Sequence, residues 1–365
     1  MGPGNELPAL FVLGSGQDDN VGDVVLRREY FDRLRRFGRL HIYLGPASDD
    51  FLKSLALQEA DVIYDELRRW HSAAWGALSR GPVWFVDKPG ELLVDGRSFR
   101  RNVKFLPLIL GVRARKGQVL RLGVAMRAEN QLYVKILRPL FRLSTCVRWR
   151  DTESRTAFGF GEVSPDWAFG WESPARDVSN TSGGDIAVTY RADREPPSDA
   201  IIDSIRALAH AGSRRMVVVT QVRRDAERSA DLASRLGGEL IPWPAERSLA
   251  EHECVLREVY RNSAMVISDR LHALIVGMTE GAVPVCVTDR RDAKVGRHLD
   301  AVGYHRSTTT VGDTTSAALT EDLAQHLSRR DEALTAVHAA LNDLDNLTQQ
   351  LAARASTRGL KGTPR

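Results

Sequence analysis

The sequence predicts an α/β protein with two mostly parallel sheets, and three observations carry the prediction. Short apolar runs of strand length alternate with longer helix-forming runs along most of the chain. A polar, glycine-rich break at 173–185, SPARDVSNTSGGD, interrupts this alternation, which then restarts. Charged residues gather directly after the strand-length runs, where ligands sit in open parallel sheets.

The elements follow in order. ALFVL (9–13) reads as a first strand, followed by a Gly/Ser-rich loop, Asn20-Val21-Gly22-Asp23 and a helix over 24–37. LHIYLG (40–45) is the next strand, and helices run through the 50s and 70s. PVWFV (82–86) and QVLRLGVAM (118–126) read as strands with a helix over 98–110 between them, and TCVRWRDTES ends a strand in polar residues. Such alternation is the mark of βαβ crossovers. Past the break, strands are expected at 186–190, 215–220, 239–241, 265–268 and 283–287. Helices are expected at 199–211, 225–236, 249–262 and 271–280. From 316 to 354 apolar residues recur at spacings of three and four, which predicts helix. The tail STRGLKGTPR is expected to be disordered. The implied boundaries are 1–178, 179–312, 313–355 for C-terminal helices and 356–365 for the tail.

Composition restricts the function classes. A chain of 365 residues can bury two cores. Its net charge of +4 gives no reason to expect a nucleic-acid partner. Only seven of its 51 basic residues are lysine. Arginine suits planar recognition of carboxylate and phosphate, although compositional bias accounts for the excess equally well. Cys146, Cys254 and Cys286 show no paired spacing and read as reduced and intracellular, without disulfide or zinc. MGPGNELPALFVLGSG has no basic segment before its apolar run, so a core strand is expected rather than a signal peptide. No apolar run approaches the roughly 18 residues of a membrane span, and a cytoplasmic protein is expected. The basic stretch 27–39, RREYFDRLRRFGR, reads as a solvated helix face or as a peripheral contact with an anionic membrane.

The stretch MVISDRLHALIVGMTEGAVPVCV (265–287) reads as strand, helix, strand, with Asp269, Arg270 and His272 at the mouth of an otherwise apolar unit. Free N–H groups at the helix start make a seat for an anion. Arg270 adds a charged fork matching phosphate or carboxylate. Histidine, with an ordinary pKa of about 6.5, exchanges protons near neutral pH. Residues two apart do not share a helix face, so both can serve one ligand only if Arg270 lies in the non-helical entry. The plainer alternative is that Asp269 caps the helix, Arg270 pairs with a surface carboxylate and His272 is a core residue. Other polar groups at strand ends are Asn20 and Asp23, Arg150 and Asp151, Arg191, and Lys294. For Asn20-Val21-Gly22-Asp23 the alternative is a turn that caps the next helix.

SDRLHALIVGMTEGAVPVCV with Lys294 close behind it resembles the C-terminal signature of the polysaccharide pyruvyl transferase family. SGQDDNVGDVVLRREYFDRLR is similar to that family's early N-x-G-D and helix, VRWRDTESRTAFGFGEVSPDWAF to its R-D-x-x-S segment and following D-x-A-F, and IAVTYR to the strand and arginine opening its second domain. The likeness covers about residues 9–305 in the family's order. Two places depart from it: VDKPGELLVDG stands where the family often has a glycine run, and CVTDRRDAK where a tyrosine-aspartate often precedes the lysine.

The resemblance implies two facing Rossmann-like parallel α/β domains, GT-B-like, with a C-terminal helical segment. The N-terminal domain would take the acceptor and the C-terminal one the donor. It implies phosphoenolpyruvate as co-substrate, with neither cofactor nor metal, and formation of a pyruvyl ketal across two sugar hydroxyls. Arg191, Arg270 and Lys294 would bind the donor's anions, and His272 would be the general acid. Asp23 would act as base or acceptor ligand, and Asn20, Arg150 and Asp151 would complete the acceptor side. The acceptor itself is undefined between a polysaccharide repeat, a lipid-linked sugar, a glycolipid and a wall polymer, and a lipid-linked one would bring the protein to the inner face of the membrane. Oligomeric state is undefined. Rival readings are a nucleotide-sugar glycosyltransferase and a non-catalytic homologue. The first wants an acidic pair on the ribose, and Glu246 with Glu253 is the nearest, one residue off the usual spacing.

Overall fold

The computed structural model describes residues 8–127, 130–171, 184–289, 293–312 and 314–359. The expected linker at 173–185 lies outside the described residues except for its last two positions, and so do 360–365 of the expected tail. Contacts divide the chain into two compact units, Met1–Gly16 with Leu26–Trp167 and Asn342–Arg365, and Gln17–Val25 with Ala168–Leu341.

The first unit is built on β1 (Ala9–Leu13), α1 (Val21–Arg35), β2 (Arg39–Tyr43), α2 (Asp49–Ser54), β3 (Val62–Tyr64), α3 (Leu67–Arg80) and β4 (Val83–Val86). It continues through β5 (Gly90–Leu92), α4 (Gly96–Ala114), β6 (Gln118–Met126), α5 (Gln131–Arg142), β7 (Cys146–Trp149), α6 (Thr152–Phe158) and β8 (Glu162–Val163). The strands pair in the order β3-β2-β1-β4-β6-β7-β8, with β5 alongside β6, and every pairing is parallel. Strands buried on both faces must be apolar throughout, as the unbroken burial of Val83–Val86 illustrates. One core gathers Phe11, Trp70, Phe85 and Phe105, whose rings meet edge to face around Trp70.

The second unit contains β9 (Asp185–Thr189), α7 (Asp199–Ala211), β10 (Met216–Val219), α8 (Ala226–Leu236), β11 (Glu239–Ile241), α9 (Leu249–Arg261) and β12 (Ser263–Ser268). Then come α10 (Leu271–Thr279), β13 (Val283–Thr288), α11 (Ala293–Asp300), β14 (Thr308–Thr310), α12 (Ser316–Leu327) and α13 (Arg330–Gly359). Its parallel sheet runs β11-β10-β9-β12-β13-β14. Counted from its own first strand this is the doubly wound order 3-2-1-4-5-6, which changes direction between β9 and β12. Helix α10 is buried on every side, from Leu271 through Ala273–Thr279. Gly277 permits this, because a Cβ there would run into Val266 of β12.

The units cut the chain differently from the expected boundaries. Residues 17–25 follow β1 in sequence but are fastened to the loop after β10. Asn20 forms an antiparallel bridge with Val222, and the Arg223 N–H donates to the Asp19 carbonyl at 3.2 Å. The Arg224 guanidinium reaches Asp19 Oδ1 at 2.9 Å and Gln17 Oε1 at 3.0 Å. The C-terminal helices do not form one body either: α13 passes between units at 341–342. In the first unit its Asp345 accepts from Arg33 at 2.5 Å and its Gln350 from Arg148 at 2.7 Å. It also runs to Gly359, four residues into the tail expected to be disordered.

Arginines of the basic stretch 27–39 are largely consumed inside the first unit. Arg27 donates to the carbonyls of Gly14 (2.8 Å) and Ser15 (2.5 Å), and Arg35 forks onto Asp61. Among the described residues no helix is long and apolar enough to cross a membrane.

Asp87 is the ionic centre of the first unit. Its carboxylate pairs with Arg101 and Arg121, and Arg121 also donates to Asn102 and lies 4.0 Å over the Phe141 ring. Burial alone would raise the Asp87 pKa, but the two arginines outweigh it and hold it below the ordinary value. Burial lowers Arg121 to about 10. The carboxylate therefore stabilises the fold above its ordinary pKa, and this contribution fades as the pH falls below it. Asp87→Ala strands a buried guanidinium and is expected to cost about 3–5 kcal/mol in urea denaturation. The deficit should narrow as the pH drops below about 4, the ordinary carboxylate value, where the unfolded chain begins to take up this proton before the folded one does.

Candidate active site at the switch point of the second sheet

Between β9 and β12 the strand order reverses, so the loops leaving their carboxyl ends diverge and open a crevice. Arg191 lies just beyond β9, and Asp269 and Arg270 just beyond β12. Arg270 occupies the N-cap with φ −98° and ψ 115°, an extended conformation, and the helix begins only at Leu271. The condition for Arg270 and His272 to serve one ligand is thus met. Neither Asp269 nor Arg270 caps α10 through its side chain. Asp269 Oδ1 instead accepts the backbone N–H of Arg191 at 2.9 Å, and its other oxygen lies 3.7 Å from Arg194.

The Arg270 guanidinium pairs with Asp225, whose other oxygen accepts the N–H of Ala192 at 2.9 Å. Asp225 is fully buried, so the partner is not the surface carboxylate of the plainer reading. Burial pulls the Arg270 pKa below its ordinary value against the raising effect of Asp225. Burial likewise raises Asp269, against the N–H of Arg191 and the nearby guanidiniums. Arg191 forks onto Asp193, Nε to Oδ1 at 2.7 Å and Nη2 to Oδ2 at 2.6 Å. Arg191, Arg194 and Arg270 thus interleave with Asp193, Asp225 and Asp269, three positive charges with three negative.

The 17–25 segment meets this cluster from within the same unit. Asn20 Oδ1 accepts the Gly22 N–H at 3.0 Å, the Asn20 carbonyl accepts that of Asp23 at 3.1 Å, and Asp23 Oδ2 accepts that of Gln17 at 2.8 Å. The segment therefore turns the chain and starts α1, as the plainer reading held. It also backs His272: Gly22 lies against that ring so closely that a Cβ would overlap its Cβ and Cγ. Asn20 and Asp23 thus belong to the unit of Arg270 and His272, which corrects the expectation that they reach the site from the opposite domain. Lys294 follows β13 on α11, where its carbonyl accepts from His298 Nδ1 at 2.8 Å. It shares the unit, and residues 290–292 before it lie outside the described residues.

Arg150 and Asp151 are placed otherwise. They follow β7, three strands from the β1–β4 reversal in the first sheet's order. Arg150 is 2% exposed and pairs with buried Asp166, and Asp151 is fully buried and caps α6 by accepting the Ser154 N–H at 2.6 Å. Both are engaged within the fold, and nothing in these contacts brings them toward the β9–β12 cluster. The acidic pair weighed for a nucleotide sugar fares no better, because Glu253 is buried against Arg257 at 2.8 Å. The sequence reading missed Asp225 and Asp193. Nothing near Asp225 in sequence signals it, whereas Asp193 stands two residues from Arg191 and was open to notice.

Two Rossmann-like parallel α/β halves with C-terminal helices define the fold class of GT-B sugar enzymes. Similar structures include a putative UDP-N-acetylglucosamine 2-epimerase from Listeria monocytogenes, 12% identical with a TM-score of 0.58 over 99% of this chain and 98% of that one. A glycosyltransferase from Rickettsia africae is 11% identical, with a TM-score of 0.57 over 99% of this chain and 100% of that one. HepE from Anabaena, in complex with UDP and glucose, is 12% identical, with a TM-score of 0.52 over 96% of this chain and 100% of that one. At such identities the likeness is one of fold. No curated protein matches the sequence. The polysaccharide pyruvyl transferase family model matches residues 17–289, and the chain belongs to that family.

Gly22→Ala would drive a methyl into His272, which overpacking makes costly. A loss of about 1–3 kcal/mol is expected in thermal denaturation. A change under about 0.5 kcal/mol, the range of a surface substitution, would mean that residue 22 and His272 do not pack as described.

Proposed function

We propose that the protein moves the pyruvyl group of phosphoenolpyruvate onto two hydroxyls of a sugar in a polysaccharide or glycolipid, forming a ketal and releasing phosphate. Family membership supports polysaccharide pyruvylation in general. The observation that carries the finer reading is the extended N-cap of α10. It frees the Arg270 fork from the helix while leaving His272 on the first turn, which supports a cation and a proton carrier serving one ligand.

The donor brings a carboxylate and a phosphate, about three negative charges, which Arg191, Arg270 and Lys294 would bind from separate loops. Protonated His272 gives its proton to the methylene carbon, which becomes the methyl group. As the double bond's electrons leave for that proton, C2 gains oxocarbenium character and a sugar hydroxyl attacks it. A second hydroxyl then displaces phosphate from C2 and closes the ketal. Of the two hydroxyl protons one replaces that spent by His272 and the other leaves with hydrogen phosphate, so charge and atoms balance. Arg270 and Lys294 stabilise the departing charge, and Asp23, with Asn20 beside it, receives or orients the acceptor hydroxyls. The acceptor is a free or lipid-linked glycan met in the cytoplasm, at the inner face of the membrane if lipid-linked.

Phosphate release from phosphoenolpyruvate with a panel of sugar acceptors, followed by mass analysis of the product, tests the reading. Millimolar phosphoenolpyruvate is expected to raise the melting temperature where nucleotide sugars do not, and the reverse result would make the protein a glycosyltransferase. His272→Ala should keep the fold and donor binding while turnover falls roughly 10²- to 10⁴-fold. Near wild-type phosphate release would remove His272 from the acid role. Arg270→Lys should lose donor affinity, because a point charge does not replace the fork; retained affinity would refute the fork argument.

A further inference from the structure

The donor reading meets an electrostatic difficulty at the switch point. An anion of about three charges does not gain from entering a cluster whose own three guanidiniums already face three carboxylates. One carboxylate has to yield, and the structure distinguishes among them. Asp225 is fully buried, with one oxygen on the N–H of Ala192 and the other on Arg270. Asp269 is 4% exposed at its side chain, and one oxygen holds the N–H of Arg191. Both are tied to backbone that shapes the crevice, and neither can leave without unmaking it. Asp193 differs. Its side chain is 55% exposed, it lies in the turn 192–194, and both its oxygens face one partner, the Arg191 fork.

We propose that Asp193 is a placeholder: its carboxylate holds the Arg191 fork until the anionic substrate displaces it, so that it sets anion affinity at the site. This rests on the reading of Arg191 as a donor-binding residue. The geometry suits the task, since an Arg fork that takes two carboxylate oxygens side by side takes a substrate carboxylate or phosphate the same way. An exposed ion pair adds little to stability and is readily exchanged, whereas the buried pairs beside it are not. Hydrogen bonds from Arg191, and the charge of Arg270 after it, hold the Asp193 carboxyl well below the usual carboxylate range. Protonation therefore does not clear the fork near neutral pH, and competition by another anion does. Asp193 is a positioning residue in this account, acting on substrate through Arg191.

The test is calorimetric titration of the full chain with two probes, orthophosphate and phosphoenolpyruvate, on wild type, Asp193→Asn and the double variant Asp193→Asn/Arg191→Ala. Asparagine keeps the size and turn-forming character of aspartate while removing the charge. Asp193→Asn is expected to bind both probes about tenfold more tightly, the size of one coupled charge pair, and the gain should vanish when Arg191 is removed as well. A general loosening of the fold would not raise affinity. Unchanged or weaker binding of both anions overturns the placeholder, and so does a gain that persists without Arg191. Should orthophosphate tighten while neither protein binds phosphoenolpyruvate, the placeholder stands and the donor reading falls. Should wild type turn over phosphoenolpyruvate while Asp193→Asn binds it no better, the donor reading stands and the placeholder falls.

Discussion

A buried carboxylate, Asp225, ties together three loops that have no other reason to meet. It lies at the end of the loop after β10, takes the N–H of Ala192 beyond β9 with one oxygen and pairs with Arg270 beyond β12 with the other. Asp269 repeats the device by holding the Arg191 N–H from the β12 side. Parallel strands diverge at a reversal of order, and only such cross-ties keep their loops at fixed separation. The same β10 loop anchors residues 17–25 through Val222, Arg223 and Arg224, so Gly22 reaches His272 by that route.

The ties also settle how a dense set of charges survives burial. An unpaired ion taken from water costs several kcal/mol, and a pair recovers this only with good geometry and further hydrogen bonds. Asp225 and Asp269 each combine a hydrogen bond from a backbone N–H on one oxygen with a guanidinium charge beside the other. Matching the three guanidiniums with three carboxylates is then a condition of folding.

The parallel sheets and the RLH entry were legible because both are local: apolar runs mark strands buried on two faces, and polar residues interrupting them mark strand ends. The short strands β3, β5 and β8 carry too little pattern to read, although β11, equally short as β3 and β5, is marked by the helices on either side of it. Helix α5 escaped notice because Pro139 sits in its last turn, although Val134, Leu137 and Phe141 make a regular buried face. Arg150 and Asp151 stood out because they follow a strand; that this strand lies away from the sheet's reversal, and that Asp166 and a helix cap engage the pair, depends on tertiary pairing that the sequence does not reveal. The allegiance of residues 17–25 could not be read at all. It depends on a bridge to Val222, some two hundred residues away, and long-range pairing leaves no local signature.

Helix α10 has no surface of its own, since its residues beyond His272 are buried against β12, β13 and their neighbours. Surface loops and lids open separately from the body of a domain, at small cost. This helix has no such freedom, because loosening it means opening the core of the second unit. His272 on its first turn therefore keeps its backbone position for as long as that unit stays folded. Displacement of this helix on heating and unfolding of the unit become one event.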